Sequence, residues 1–333
     1  MPYKVVRYLG AGRYVLVAAL NVLLLAALCY FYLTEGLSDA NHVTASIIVK
    51  ELRLPRMLCA MGVGASLSVA GALMQGVFRN PLVEPYTMGL SGGAVLGVAI
   101  AFVSGSVAVW GSAAVTAGAA IGGLLSLVAV LLMRRCVGYD VAVMLMCGIM
   151  VSFVTSAATS VIMSMASRED LSQVVSWTVG AFSSAGWRES LFIFCVACVA
   201  TPLSSLAGNA LNVMSLGDED ARSLGVSPRL VSVLAFSVAT LLTAFSVSVS
   251  GVVAFVGMAV PHFTRCLYCS DNRLVLPASG LLGAFVMLAC DFISKSVISP
   301  KELPAGAVCA VLGGIMFTYL TLVWKKSESR FLS

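Results

Sequence analysis

Charged residues are scarce in this chain. Only 11% of its 333 residues are Asp, Glu, Lys or Arg, whereas 59% are apolar, and the mean hydropathy is +0.99. A soluble domain carries about 25% charged residues, so this composition excludes an ordinary cytosolic protein, and the apolar content excludes disorder. The apolar excess extends from residue 14 to residue 324, and one bilayer crossing takes about 20 residues. The sequence therefore predicts a polytopic membrane protein.

The motifs of common catalytic sites are also missing. No Lys follows a Gly, which excludes a Walker A loop, and H-E-x-x-H does not occur. Two histidines, His42 and His262, are too few for several haems. We therefore predict no catalytic residue, no cofactor and no enzymatic activity. Carboxylates are nearly absent from the apolar runs, which disfavours the alternative of a secondary active transporter of a small solute.

Long apolar runs predict ten transmembrane helices in an all-α fold, because lipid leaves no partner for unpaired backbone polar groups. The run 85–133 is too long for one crossing and is divided at the Gly/Ser-rich residues 104–112, and the run 230–264 is divided at Gly251. Residues 171–187 are small and polar, and we expect them to insert only partly. Residues 1–333 form one predicted domain, with spans at roughly 14–33, 57–78, 87–105, 113–133, 141–165, 190–208, 229–250, 252–269, 274–293 and 304–324.

Ten spans place both termini on the same side of the membrane. With the N-terminus inside, more of the Lys and Arg residues lie in inner loops than in outer loops, which favours an N-in/C-in topology. The net charge of +5 is spread over many short loops, so it predicts contact with membrane lipid and no nucleic-acid surface.

Ten cysteines are present, and most lie inside predicted spans. Cys195 and Cys198, and likewise Cys266 and Cys269, have the spacing of redox or metal pairs, and His262 lies one helical turn before Cys266. No second ligand pair accompanies them, and membrane helices use Cys as a small apolar residue. We therefore predict no metal site.

Several longer motifs occur in a characteristic order along the chain: Arg53–Arg56, Gly71–Gly76, Arg79–Pro85, Leu216–Gly225, Gly257–His262 and Glu302–Gly306. They resemble those of the permease subunits of type II ABC importers for iron-siderophores, haem and cobalamin, over about residues 50–324. The resemblance implies a homodimer in the bacterial cytoplasmic membrane, two separate ATPase subunits and an extracytoplasmic substrate-binding protein. It implies inward transport of an iron chelate (siderophore or haem) or of cobalamin.

Three positive residues precede the second span: Lys50, Arg53 and Arg56. They lie on the predicted outer side, where the positive-inside bias disfavours them, and an acidic partner would explain their placement. The resemblance implies that Arg53 and Arg56 contact glutamates of the binding protein. A further docking arginine of the family, near the outer end of the ninth span, corresponds to Lys295, which keeps the charge without the bidentate geometry.

The longest inner loop, within the predicted cytoplasmic segment 209–228, carries a short helix signature. Asp218 is a suitable N-cap, acidic residues fill the first turn, and Gly225 can end the helix in the left-handed region. The resemblance implies that this loop is the coupling helix that contacts the ATPase subunit. The predicted coupling residues are Leu216, Gly217, Asp218, Glu219, Asp220, Ala221, Arg222, Ser223, Leu224 and Gly225.

The fifth predicted span carries a polar stripe, since its Ser and Thr residues recur on one helix face. Hydrogen bonding between helices is one interpretation. The other, implied by the resemblance, is a translocation pathway near the dimer axis, with the opposite face, including Val161, packed inside the protein. The stripe consists of Ser152, Thr155, Ser156, Thr159 and Met163.

Overall fold

The described residues of this chain form helices connected by short loops, and they contain no strand. The structure is a computed structural model that describes residues 11–35, 42–137, 141–268, 270–298, 302–316 and 318. The α-helices are α1 Ala11–Thr34, α2 His42–Ile47, α3 Leu54–Phe78, α4 Leu90–Val103, α5 Ser106–Trp110, α6 Ser112–Val137, α7 Val141–Ser164, α8 Arg168–Thr178, α9 Trp187–Leu203, α10 Ser205–Met214, α11 Asp218–Ser223, α12 Pro228–Ser250, α13 Val256–Leu267, α14 Asn272–Ser296 and α15 Ala305–Met316.

Every predicted span contains one of these helices. Six helical stretches of the described chain are long and apolar enough to cross a membrane. Five of them are the single helices α1, α6, α7, α12 and α14. The sixth is the continuous helix that α2 and α3 form together. The pair α9 and α10, bent by 49° just after Pro202, is long and apolar enough for a seventh crossing if the two helices count as one span. Helices α4, α13 and the described part of α15 are shorter, and most of the predicted span 304–324 beyond Met316 lies outside the described residues.

Helix α3 lies at the centre of the bundle, because its small residues let neighbouring helices approach closely. A Cβ atom at Gly62 would lie 2.8 Å from the backbone nitrogen of Phe194 in α9. A Cβ at Gly64 would overlap the backbone of α14, and one at Gly71 would overlap the backbone of α13. Almost the whole apolar length of α3 is buried, whereas α1 is mostly exposed. The fold is thus built around α3, with α1 at its periphery.

Helices α4 and α6 pack through the glycines that the sequence places at intervals of four. A Cβ on Gly97 would overlap the carbonyl oxygen of Gly118, and a Cβ on Gly122 would overlap that of Gly93. Such close approach between backbones requires residues without a side chain. The division of the long apolar run is also confirmed, since α4 ends at Val103 and α6 begins at Ser112.

The chain leaves the helical conformation between α12 and α13. Gly251 has φ +71°, and residues 251–254 are not helical. The segment predicted to insert partly, 171–187, packs beside this break: the Ala181 N–H donates to the Ser250 carbonyl (3.0 Å), and the Gly306 N–H donates to the Gly180 carbonyl (3.0 Å). Gly180 and Gly306 also pack closely against the Val252 carbonyl, so two other segments enclose the break, which leaves α13 only 12 residues long.

Candidate functional site

The candidate coupling element is a single turn-and-a-half helix, α11. Its N-cap is Gly217, at φ +136°, and Asp218 is the first helical residue, so the prediction of Asp218 as the N-cap is wrong. Gly225 (φ +81°) ends the helix as predicted. Its N–H donates to the Arg222 carbonyl (3.0 Å) and the Val226 N–H donates to the Ala221 carbonyl (2.9 Å), which is a Schellman motif. Two special backbone positions thus fix both ends of this short helix.

One side of α11 is anchored to the bundle and the other side is exposed. Ala221 is fully buried, and Asp218 forms an ion pair with Arg79, the left-handed residue that ends α3. Leu216 and Leu224 are 63% and 61% exposed. The segment also begins later than the predicted boundary at residue 209, because α10 continues to Met214. Its remaining exposed members are Glu219, Asp220, Arg222, Ser223 and Gly225.

A buried amide connects the inner ends of α3 and α13. The Gln75 side chain is 3% exposed and donates to the carbonyls of Pro81 (2.9 Å) and Met258 (3.0 Å). Its oxygen accepts a hydrogen bond from the guanidinium of Arg265. Gln75 belongs to a motif noted in the sequence, but no role could be assigned there because its partners are up to 190 residues away.

Two carboxylates outside the spans have perturbed pKa values at this same end. The Asp271 carboxylate accepts hydrogen bonds from Arg273 and, at 2.6 Å, from Asn212, and these bonds lower the pKa of Asp271 to about 2. Burial raises the pKa of Glu84, which accepts a hydrogen bond from the Phe255 N–H (3.3 Å) beside the break. Both carboxylates hold loops in place between neighbouring helices.

At the opposite end, Arg56 lies in an internal ion-pair network. Its Nε and Nη2 atoms donate to Asp291, with a shortest distance of 2.8 Å, and Asp291 is fully buried. The Tyr32 hydroxyl donates to the same carboxylate (2.6 Å), and Arg56 Nη1 donates to Glu302 (2.7 Å). Arg56 is only 13% exposed. The sequence did not predict Asp291 and Glu302 as partners of Arg56, because this pairing depends on how distant parts of the chain pack together.

The other two candidate docking cations also have partners in the chain. Arg53 donates to the backbone carbonyls of Leu33 (2.9 Å) and Glu35 (2.7 Å) at the end of α1. It lies in a π-helical turn, Ile48–Arg53, directly before Pro55, whose missing N–H interrupts the regular hydrogen bonding of the helix. Lys295 donates to the Tyr32 carbonyl (3.1 Å) and lies 3.5 Å from a Glu35 carboxylate oxygen. The structure thus brings Arg53, Arg56 and Lys295 to one end of the bundle.

The polar stripe of α7 lies along the edge of the packed face. Ser152, Thr155, Thr159 and Met163 are half-buried and Ser156 is exposed. The hydroxyls of the first three donate to carbonyls one turn earlier in α7, with Thr155 and Thr159 each at 2.8 Å. The prediction that Val161 packs inside the protein is wrong for the single chain, because Val161 is 62% exposed.

The described residues contain no group of three or more His, Cys, Asp and Glu side chains that could hold a metal ion. Cys195, Cys198 and Cys266 are free thiols on exposed positions, and Cys269 lies outside the described residues. The architecture is that of a multi-helix membrane protein with one anchored helix at the inner end and an ion-pair network at the outer end.

Comparison with known proteins agrees with this class. Residues 15–323 match the FecCD transport family. The hemin transport system permease protein HmuU of Yersinia pestis is 33% identical, over 84% of each chain. The vitamin B12 import system permease protein BtuC of Yersinia pseudotuberculosis serotype O:1b (strain IP 31758) is 33% identical, over 95% of this chain and 92% of its own.

A solved structure extends the likeness to three dimensions. A metal-chelate type ABC transporter in an inward-facing conformation superimposes with a TM-score of 0.84 and 28% identity, over 93% of this chain and 99% of the other. The chain belongs to the FecCD transport family. It is a permease subunit of an ABC importer and a multi-pass protein of the cytoplasmic membrane.

Proposed function

We propose that two copies of this chain form a non-catalytic homodimer in the membrane, which carries an iron chelate (siderophore or haem) or cobalamin inward. Two cytoplasmic ATPase subunits drive the transport, and an extracytoplasmic binding protein delivers the cargo. The hemin and vitamin B12 permeases among the relatives support this cargo class. The missing Walker A loop supports ATP hydrolysis by a partner rather than by this chain. Residues 1–333 act as one transmembrane permease domain.

The observation that carries this proposal is that α11 is anchored to the bundle on one side and exposed on the other. A six-residue helix has no stability of its own, yet this one is fixed by a capping motif, by buried Ala221 and by the pair of Asp218 with Arg79. It presents Leu216, Leu224 and acidic side chains away from the bundle. An anchored helix with exposed apolar and charged groups is suited to dock in a groove of another protein and to transmit its movement.

The coupling role is tested by the charge reversal Glu219→Lys. Glu219 is exposed and takes part in none of the ion pairs between described residues, whereas reversal of Asp218 would also break its pair with Arg79 and detach α11. We expect about tenfold weaker association with the ATPase subunit, equivalent to about 1.4 kcal/mol, because a like charge disrupts a complementary interface. The measurement is ATPase copurification and substrate-stimulated ATP turnover in detergent.

Glu169→Lys is the matched control for this experiment. Glu169 is likewise an exposed glutamate in the first turn of a short helix, but α8 lies at the predicted outer side. The control variant should copurify the ATPase as the parent does. Equal copurification and equal ATP turnover for Glu219→Lys and the parent would refute the assignment of α11.

For the outer end, we propose that Arg53, Arg56 and Lys295 form the region against which the binding protein docks. The support is the placement of these three cations together at one end of the bundle, near the ends of α1, α3 and α14. A partner with acidic residues fits such a surface, because complementary charge steers association and fixes register.

The polar edge of α7 is the proposed translocation pathway. Hydroxyls bonded to their own helix, as in Thr155 and Thr159, leave a weakly polar surface that can release a large chelate readily. The exposed residues Ile149 and Phe153, which lie beside Ser156 on the same side of α7, provide an apolar surface that a second copy of the chain could cover. The homodimer would then enclose the pathway between the two copies.

Thiol labelling tests the pathway in a background without the ten native cysteines. Ser156→Cys should react with a small hydrophilic thiol reagent, and the rate should change at least severalfold when an ATP analogue traps the assembled importer. Val151→Cys is the matched control, since Val151 lies on the same helix but is 7% exposed. If Ser156→Cys stays as unreactive as the control in every nucleotide state, α7 does not line the pathway.

A further inference from the structure

Two glutamates at the outer end lie between solvent and the candidate docking cations. Glu302 is paired with Arg56, Glu35 is paired with Lys295, and the two glutamate side chains are 45% and 44% exposed. The cations beneath them are only 13% and 15% exposed. Each cation is therefore covered, on its outward side, by a carboxylate of the same chain.

We propose that Glu35 and Glu302 are placeholder carboxylates, which the acidic residues of the docking binding protein displace from Lys295 and Arg56. In this scheme the two placeholder glutamates set how tightly the binding protein docks and how quickly it leaves. The inference rests on the proposed docking role of this surface. It adds a regulatory feature of that surface, namely competition between carboxylates of this chain and those of the partner.

The guanidinium of Arg56 is divided between a permanent and an exchangeable partner. The edge formed by Nε and Nη2 donates to Asp291, which is fully buried and also accepts from the Tyr32 hydroxyl. Removing that carboxylate would leave a buried charge without compensation, so this contact is fixed. Nη1 donates to Glu302 at 2.7 Å, on the side that is open to solvent. Only this second contact can be exchanged at low cost.

Lys295 repeats the same arrangement. Its ammonium donates to the Tyr32 carbonyl (3.1 Å) and lies 3.9 Å from the centre of the Tyr32 ring, and both contacts are internal. Its outward partner is Glu35, at 3.5 Å, which also accepts a hydrogen bond from Ser296 (3.2 Å). Arg56 and Lys295 are neighbours, and each has one inner partner and one half-exposed glutamate. This repetition argues against a chance arrangement.

The energetics of exposed ion pairs favour exchange. A pair whose carboxylate is half exposed is partly screened by solvent and fixes the geometry of a mobile side chain, so it stabilises the protein less than a fully buried pair does. An incoming carboxylate that replaces Glu302 restores the hydrogen bond to Arg56 Nη1, so the number of charge-assisted bonds stays the same. A cation without a placeholder would bind a partner carboxylate more tightly and release it more slowly, which would slow each transport cycle.

The test measures docking of the cognate binding protein, cargo-free and cargo-loaded, on the complete importer in lipid nanodiscs. The variants are Glu302→Gln and Glu35→Gln, and Glu169→Gln is the control for the loss of one negative charge at the same side. We expect each placeholder variant to lower the Kd about three- to tenfold, mainly through slower dissociation, with the control within about twofold of the parent. The double variant should show the largest effect.

The outcomes separate this inference from the docking assignment. If Arg53→Glu weakens docking and the placeholder variants dock as the control does, or more weakly, the exchange is refuted and the docking surface stands. If Arg53→Glu docks as tightly as the parent, the docking assignment fails and the exchange fails with it. Since both glutamates are half exposed, the variants should melt at the parent's temperature, which is measured alongside.

Discussion

A single carboxylate, Asp291, organises the outer end of the protein. It lies fully buried in α14, a position in which an unpaired charge would be very costly. Three donors compensate it: the Nε and Nη2 atoms of Arg56 and the hydroxyl of Tyr32. Because these residues come from three helices, the one carboxylate connects α1, α3 and α14 at their outer ends.

Asp291→Asn should therefore destabilise the permease strongly. The substitution leaves Arg56 buried with only the half-exposed Glu302 as a charged partner, and breaking a buried pair typically costs about 3–5 kcal/mol. We expect a clear drop in the melting temperature of the purified protein, and the double variant Arg56→Met with Asp291→Leu should recover much of it. Glu302→Gln serves as the control and should melt near the parent. An unchanged melting temperature for Asp291→Asn would contradict this role.

At the residue scale, the sequence predicted which cations lie at the outer end but not what they contact. Arg56 and Asp291 are 235 residues apart, and nothing in their local sequence joins them. Likewise the sequence predicted a glycine end for α11 correctly, because Gly225 acts locally, and failed on its N-cap. Gly217 takes that position at φ +136°, since Asp218 is held by Arg79 from another loop.

At the scale of elements, the contact between α4 and α6 depends on glycine. The two helices lie so close at Gly97 and Gly118 that even one methyl group would overlap a backbone oxygen. The overlap cannot be relieved by a side-chain rotation, because the obstructing atoms belong to the backbone. Small residues at intervals of four along each helix are a local sequence pattern that is typical of such close approach.

Gly97→Ala should push these helices apart and destabilise the bundle by about 1–3 kcal/mol, the usual range for overpacking. The matched control is Gly12→Ala in α1, since a Cβ at Gly12 would have no atom within 4 Å. Thermal unfolding in the same detergent is the measurement. A melting temperature for Gly97→Ala equal to that of the control would show that α4 and α6 are not packed through this glycine.

The breaks between elements were only partly predictable. Gly251 was expected to divide a long apolar run, and it does so at φ +71°. The short length of α13 was not foreseen, because the non-helical residues before it are held by distant groups. Those groups are Gly180 and Gly306, which both pack closely against the Val252 carbonyl, the Glu84 carboxylate, and the Tyr86 hydroxyl, which accepts a hydrogen bond from the Val253 N–H (3.3 Å).

The whole molecule combines a tightly packed centre with two specialised ends. Small residues of α3 pack against α9, α13 and α14, so a change at one end of these helices can be transmitted through a rigid core. The inner end presents α11, and the outer end presents the network around Asp291. Composition alone predicted the membrane location and all-α class, because they depend on overall hydropathy rather than on any particular contact.

The most direct test of the account is cargo uptake into proteoliposomes that contain this permease, its ATPase and its binding protein. We predict uptake of a ferric siderophore, haem or cobalamin only when ATP and the binding protein are both present, and at least tenfold slower uptake with Glu219→Lys. An imposed proton or sodium gradient without ATP should drive none. Uptake driven by such a gradient in the absence of ATP would contradict the account and would indicate a secondary transporter.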